Sequence, residues 1–444
     1  MTAIKPSSKT EISEAASSTP SALTSPHSNS LRPETSTPVH APMQQFEQRG
    51  HDILVGDKTL AEIEKSVGQT PFYAYDQRII SETVSQLKEH LPDSVHLHYA
   101  IKANPLPAVV NHLAALTDGL DVASAGELAI ALDSGIDPHT ISFAGPGKND
   151  GELLRAIEAD VTLNMESANE MRRIADIAQR TNRKARVAIR VNPDFELKTS
   201  GMKMSGGPKP FGIDAEKVPE VLDDLRDLPL EFQGFHIFCG SQNLKAEAII
   251  EAQSNTFELA QRLTQHWGQP IAWLNIGGGL GIPYFPGEQR LDVTPIAANL
   301  ESLLKQYQET FGNTEIVMEL GRYLVAEAGV YVSKVIDIKD SRGETFVITD
   351  GGLNHHLSAS GNFGQVIRKN YPVAVGNRLH SDSEKKTVSV VGPLCTPLDI
   401  LAHKMSLPVM SVGDYVVVYQ SGAYGASASP QRFLGHPPVA EILL

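Results

Sequence analysis

Three groups of residues in this chain have the types and spacing to do chemistry. Lys102 stands in His98-Tyr-Ala-Ile-Lys-Ala-Asn104, at the end of an apolar, strand-like run and just before an Asn-Pro turn signal. A lysine at the C-terminal end of a buried strand is costly unless its charge is used. Burial lowers its pKa and makes it an amine nucleophile toward a carbonyl. Taken alone, the same residue reads equally as a lysine snorkelling from a strand end. The second group is Gly277-Gly278-Gly279. Without Cβ atoms its backbone amides can approach a phosphate closely, although glycine runs also make plain turns. The third is Glu319-Leu-Gly-Arg322. There a carboxylate could keep a ring nitrogen protonated while the arginine pairs with an anion; the other reading is an ordinary salt bridge.

These residues need elements to bring them together. Strand-like runs at 95–101, 119–123, 140–144, 161–164, 185–191, 231–238, 272–276 and 315–319 alternate with amphipathic stretches such as 168–179 and 246–267. Ser124…Glu127 and Ser167…Glu170 have the spacing of capping boxes at helix starts. Eight strand–helix units predict an α/β fold, a (β/α)8 TIM barrel, whose chemistry gathers at the C-terminal strand ends. Those ends carry Lys102, Asp121 with Ser124 and Glu127, Gly145, Glu166, Arg190 with Asn192, residues 236–241, the triple glycine, and Glu319 with Arg322. After Arg322 the pattern becomes strands with few helices, at 330–338, 344–349, 387–391 and 415–420. The expected organisation is a tail over 1–44, a segment over 45–75 joining the β domain, the barrel over 76–325, and a C-terminal all-β domain over 326–444.

Composition narrows the classes of function. The 444 residues carry a formal net charge of -14, which argues against nucleic acid and anionic membrane surfaces as main partners. Two cysteines, Cys239 and Cys395, give no disulfide framework and fit a reducing, cytoplasmic setting. No apolar run is long enough to span a membrane, and no metal-ligand spacing stands out. The first 44 residues are rich in Ser, Thr, Pro and Ala and are expected to be disordered. They lack the apolar core of a secretory signal, and Glu11, Glu14 and Glu34 speak against a transit peptide.

Seven motifs in order, Tyr-Ala-x-Lys-Ala-Asn, Asp-x-Ala-Ser, Gly-Ser-Gln, Gly-Gly-Gly, Glu-x-Gly-Arg, Gly-Pro-x-Cys and Gly-Ala-Tyr, make residues 50 to 444 resemble one family. It is that of the fold-type III decarboxylases dependent on pyridoxal 5'-phosphate (PLP), which act on diaminopimelate, ornithine and arginine and share the alanine racemase-like barrel. The resemblance implies that Lys102 carries the coenzyme as a Schiff base and that Glu319 protonates its pyridine nitrogen. It implies a phosphate site of Gly277, Gly278, Gly279, Arg322 and Tyr424 with Ser241, and support for the ring from Asp121, Glu127 and Arg190. Cys395 resembles the cysteine that reaches into a partner subunit's site to reprotonate the substrate carbon, which implies a homodimer with shared active sites. Asp399 resembles a substrate-side acid, and Arg322, Thr396 and Tyr424 would also face the substrate. Barrel racemases of this fold carry an arginine where Glu319 stands, so the carboxylate favours decarboxylation.

Two departures bear on the chemistry. Phe238 stands where the family usually stacks a histidine on the coenzyme; His236 matches an earlier histidine, as readily a barrel-wall residue as a direct participant. Thr396 follows Cys395 where relatives place an acid that meets a distal ammonium, and its loss removes a charge-assisted hydrogen bond worth roughly 1.5–3 kcal/mol. The run 354–364 also departs from the usual pattern, and the basic, glycine-rich loop over 198–207 reads as a solvated, mobile loop or as a contact for a bulky or anionic substrate. The resemblance is therefore nearest to the biosynthetic branch that includes exopolysaccharide-associated decarboxylases and those acting on carrier-tethered amino acids. The expected function is PLP-dependent decarboxylation of an amino acid or derivative, modified or carrier-linked. The alternatives are a meso-diaminopimelate decarboxylase making L-lysine, a racemase or epimerase, and a non-catalytic PLP-binding protein.

Overall fold

A computed structural model describes residues 38–444, except Ser200, Val366, Ser381, Asp382 and the side chains of Met202 and Lys203. The tail expected to be disordered lies almost wholly outside the described residues.

The barrel strands are β1 (Val95–Ala100), β2 (Gly119–Val122), β3 (Ile141–Phe143), β4 (Thr162–Met165), β5 (Ala185–Asn192), β6 (Leu230–His236), β7 (Trp273–Gly278) and β8 (Glu315–Leu320). Each pairs in parallel with the next, and β8 returns to β1 through Glu319↔His98, closing the ring. Alternation along the strands sorts the side chains. Leu97, Tyr99, Leu120, Phe143, Leu163, Ile189, Phe235, Leu274 and Met318 are buried in the main hydrophobic core. The intervening residues are small or polar. Near the floor Ala188, Trp273 and Val317 pack together as a separate cluster. Above them His98, Asp121, Ser142, Asn164, His236, Asn275 and Glu319 form a buried polar layer.

The two expected capping boxes form by half. Ser124 and Ser167 accept from the amides of Glu127 and Glu170, but the glutamates reach past the cap to the amides of Ala123 and Glu166. Helix starts are thereby tied to the ends of β2 and β4, where the site lies.

The C-terminal region is a sheet built on the long strand Gly329–Ser341. The strand Phe72–Tyr75 pairs with it antiparallel and, on its other side, pairs in parallel with the terminal strand Ala440–Leu443. The stretch before it is not all strand, since Leu60–Val67 is a helix with a full Thr59/Glu62 capping box and a left-handed Gly68. Two strands within 373–408 had no sequence signal: Val373–Val375 is very short, and Ile400–Pro408 alternates weakly.

Candidate active site

Lys102 sits on a single 3-10 turn, Ile101–Ala103, directly beyond β1. The turn is stapled from the β domain: the Tyr424 amide donates to the Ala103 carbonyl at 2.8 Å and Asn104 Nδ2 to the Gly422 carbonyl at 3.0 Å. Residues more than 300 positions apart thus share one wall.

That wall borders a cavity of about 350 Å³ whose lining includes Lys102, Asp121, Arg190, Phe238, Ser241, Glu319, Arg322 and Tyr424. Lys102 Nζ lies 3.2 Å from Glu319 Oε1 and 5.5 Å from the centre of the Phe238 ring. The lysine was expected to have a lowered pKa. Burial does act in that direction, but the Glu319 carboxylate outweighs it and the pKa is pushed up to about 12. The side chain is 45% exposed, because it opens into the cavity rather than lying in the strand. Glu319 is buried, which alone would raise its pKa; Lys102 and a His236 contact at 3.1 Å hold it well below the usual carboxylate range. Glu319 therefore stays ionised, and His236 is its partner from the barrel wall.

Arg322 donates to the Tyr284 hydroxyl at 2.9 Å and stacks 4.6 Å from the Tyr424 ring, leaving Nε unpartnered among the described residues. Tyr424 is left-handed at φ 52 and Gly279 at φ 87. A Cβ on Gly278 would overlap the Glu319 carbonyl oxygen, so side-chain-free backbone is required where β7 meets β8. The Gly277 amide is already committed, donating to Asn275 Oδ1 at 2.8 Å. Gly277 also backs onto Phe238.

On the opposite wall, Asp121 accepts from Ser142, to which Asn164 donates at 3.1 Å, and His98 Nδ1 lies 3.6 Å from Asp121. Burial would lower the pKa of His98, but Asp121 raises it. Asp121 Oδ2 has no partner among the described residues. Glu127 stands behind, accepting from Ala123, with its pKa raised by burial. Arg190 is held by Glu166 at 2.7 Å and lies over the Phe211 ring.

The cavity's remaining lining includes Pro146, Met204, Phe211 and Phe363. The loop carrying Met204 was expected to be solvated and mobile or to contact substrate. Its backbone pairs Met202↔Ser241 and Lys203↔Gly240, and Ser205 is buried with its hydroxyl donating to the Phe195 and Cys239 carbonyls. Glycines at 206, 207 and 212 with positive φ let it fold back over the mouth.

Cys395, Thr396 and Asp399 do not line this cavity. Cys395 is exposed. Asp399, expected from the resemblance to be a substrate-side acid, is buried in this chain, and its two oxygens accept from the Leu353 and Leu394 amides at 2.6 and 2.8 Å. Gly352 and Gly392 press on it so closely that a Cβ on either would overlap the carboxylate.

Sequence reasoning missed Ser142, Asn164 and Tyr284, as well as the apolar lining. Strict alternation in β3 and β4 would have found the first two; Phe363 lies in the run 354–364 already singled out as unusual.

The donor set fits PLP. Lys102 offers an amine for the aldehyde, and Glu319 an ionised acid for the pyridine nitrogen. Arg322 offers a cation with a free donor for the phosphate. The described residues contain no cluster of three or more His, Cys, Asp or Glu placed to hold a metal ion. No helix among them is long and apolar enough to cross a membrane.

Comparison with known proteins agrees. The family described as "Pyridoxal-dependent decarboxylase, pyridoxal binding domain" matches residues 77–326. An L-glutamyl-(BtrI acyl-carrier protein) decarboxylase of Niallia circulans is 39% identical over 84% of this chain and 89% of its own length. A diaminopimelate decarboxylase of Aquifex aeolicus is 34% identical, covering 90% and 92%. The 2-((L-alanin-3-ylcarbamoyl)methyl)-2-hydroxybutanedioate decarboxylase of Staphylococcus aureus is 28% identical, covering 82% and 92%. The crystal structure of Helicobacter pylori diaminopimelate decarboxylase with L-lysine superposes with a TM-score of 0.77 at 30% identity, covering 86% of this chain and 94% of that one.

Proposed function

We propose a substrate and residue roles for this chain from a fixed starting point: it belongs to the pyridoxal-dependent decarboxylase family. It is a PLP-dependent carboxy-lyase acting on an amino acid or amino-acid derivative. The bound coenzyme supplies the electron sink for the bond pair left when CO2 departs.

The chain's own residues bind, orient and move protons. Lys102 provides the amine that carries the coenzyme. Glu319 remains ionised and keeps the ring nitrogen protonated, with His236 steadying its second oxygen. Arg322, backed by Tyr284 and Tyr424 and joined by Ser241, holds the phosphate. Phe238 covers the ring without offering a proton, so the protein must find its proton donor elsewhere. Cys395 is exposed and absent from its own chain's cavity lining. That fits the reading in which it enters the site of a second copy and protonates the substrate carbon.

One observation carries the substrate reading. The carboxylates among the cavity's described lining are Asp121 and Glu319, both assigned to the coenzyme by the family resemblance, while Met204, Phe211, Phe363 and Pro146 form an apolar flank. A distal ammonium would be desolvated there without a partner, at a cost of several kcal/mol. The substrate is therefore an α-amino acid whose far end is neutral, such as glutamate joined to a carrier through its side-chain carboxyl. The N. circulans relative is named for an L-glutamyl group on an acyl-carrier protein, and the S. aureus relative for an alanine joined through a carbamoyl group to a hydroxybutanedioate, so neither name carries a distal ammonium. The second reading is meso-diaminopimelate, favoured by a relative matching 90% of the chain.

Measuring CO2 released from carrier-linked glutamate, free glutamate and meso-diaminopimelate separates these readings. Turnover of the carrier-linked compound at least tenfold above the others is expected, whereas preferential release of lysine from diaminopimelate would overturn the neutral-arm reading.

A further inference from the structure

Beside the coenzyme residues, four charged side chains are buried together where β3, β4 and β5 end. Glu166 and Arg190 are 7% exposed, Lys148 and Glu170 4%. Glu166 Oε1 takes Arg190 Nη1 and the Gly145 amide, both at 2.7 Å, and Oε2 takes the Gly212 amide at 2.7 Å. Its own backbone amide donates to Glu170 Oε2 at 2.7 Å. Lys148 pairs with Glu170 at 2.9 Å and donates to the Gly145 and Asn164 carbonyls at 2.7 and 2.9 Å. Gly145 is thus gripped at both its amide and its carbonyl, and like Arg190 it lines the cavity.

Such a quartet is not an economical way to stabilise a barrel. Buried ion pairs are often matched or exceeded in stability by apolar replacements of the same volume. What apolar side chains cannot do is hold a guanidinium and two loop amides in one fixed geometry. The charges also cancel, two cations against two carboxylates, so the cluster adds shape to the cavity wall without adding net charge.

We propose that Glu166, locked in place by the Lys148–Glu170 pair, is a positioning residue that fixes Arg190 and Gly145 against the bound coenzyme. Through the Gly212 amide it also anchors the backbone next to Phe211, which lines the cavity. None of the four touches the substrate in this assignment. The inference goes beyond the substrate reading and does not depend on it.

The test uses the holoenzyme of three variants, Glu166→Gln, Lys148→Met and the double variant Lys148→Met/Glu170→Gln. Two quantities are measured: the coenzyme dissociation constant, and the pH at which the lysine-linked coenzyme's absorbance band changes between its protonated and unprotonated forms. Lys102, Glu319, His236, Asp121, Glu127, His98, Arg322 and Tyr424, other ionisable groups in or beside the cavity lining, are unchanged in each. Glu166→Gln leaves the cluster with an excess positive charge, which disfavours the protonated form and moves the transition to lower pH by roughly half a unit to one unit. Lys148→Met leaves it negative and moves the transition to higher pH. The double variant is neutral again and titrates as the wild type does. Glu166→Gln also releases Arg190, so coenzyme dissociation rises on the order of tenfold. Mere loosening of the fold would not give shifts of opposite sign in Glu166→Gln and Lys148→Met, nor restore the wild-type titration when Glu170→Gln is added to Lys148→Met, so that pattern supports the assignment. Absent shifts, or shifts of one sign in both single variants, overturn it, as does a dissociation constant within twofold of wild type for Glu166→Gln. Should Lys148→Met fail to fold, Glu166→Gln and the double variant still decide the question.

Discussion

Lys102 and Glu319 form a charged pair with the carboxylate buried and the lysine opening into the cavity. The two are 3.2 Å apart, and each holds the other in its charged form. Glu319→Gln keeps the shape and loses the charge. It is expected to bind coenzyme, as judged by the absorbance band, yet to lose on the order of 10²–10³-fold in kcat. Loss of coenzyme without loss of turnover per bound coenzyme would reassign the residue. A second residue-scale prediction concerns His356 in the β domain. It is fully buried, its ring bonds Ser421 at 2.9 Å, and burial pushes its pKa down to about 3. The unfolded chain binds a proton there below about pH 6.5 while the folded chain does not, so this term costs stability as pH falls from about 6.5 toward 3. His356→Gln should be less stable than wild type at pH 7 but show a shallower loss in urea midpoint between pH 6.5 and 4. An equal slope would mean that the ring is protonated in the native state.

At the scale of elements, the site is set by strand ends that cannot tolerate side chains. Gly278 pairs with Glu319 across β7 and β8, and a Cβ would overlap the fixed Glu319 carbonyl as well as the Leu320 side chain. Gly278→Ala should destabilise the protein by at least about 3 kcal/mol, read from thermal or urea unfolding, and displace the carboxylate. Near-neutral stability would show that the two strands separate easily. The eight barrel strands were legible because parallel strands covered on their outer faces read as β-rich runs, and helix 246–267 was located to the residue. The pairing of Met202 and Lys203 with Ser241 and Gly240 was not legible, because the partners are distant backbone that no local pattern reveals. The amides that Asp399 accepts from were hidden for a similar reason, since one belongs to a turn 46 residues earlier.

At the scale of the molecule, the chain brings its coenzyme residues into one cavity but leaves Cys395 on the surface. Exposed Phe363, Ile367 and Leu398 lie in the same part of the β domain, joined by Asn362 and Arg368 contacts to the Leu398 carbonyl. If two copies complete each other's sites, Lys102→Ala and Cys395→Ala chains, each inactive alone, should regain about a quarter of wild-type activity when mixed and allowed to exchange. No recovery, despite exchange shown by mass, would place the proton donor within one chain. Everything in this reading depends on which amine holds the coenzyme, and that can be measured directly. The coenzyme-loaded protein is reduced with borohydride, digested and mapped by mass spectrometry. The predicted result is a single pyridoxyl adduct on Lys102, absent from Lys102→Ala; an adduct on any other lysine, or none on protein proven to be loaded, would contradict it.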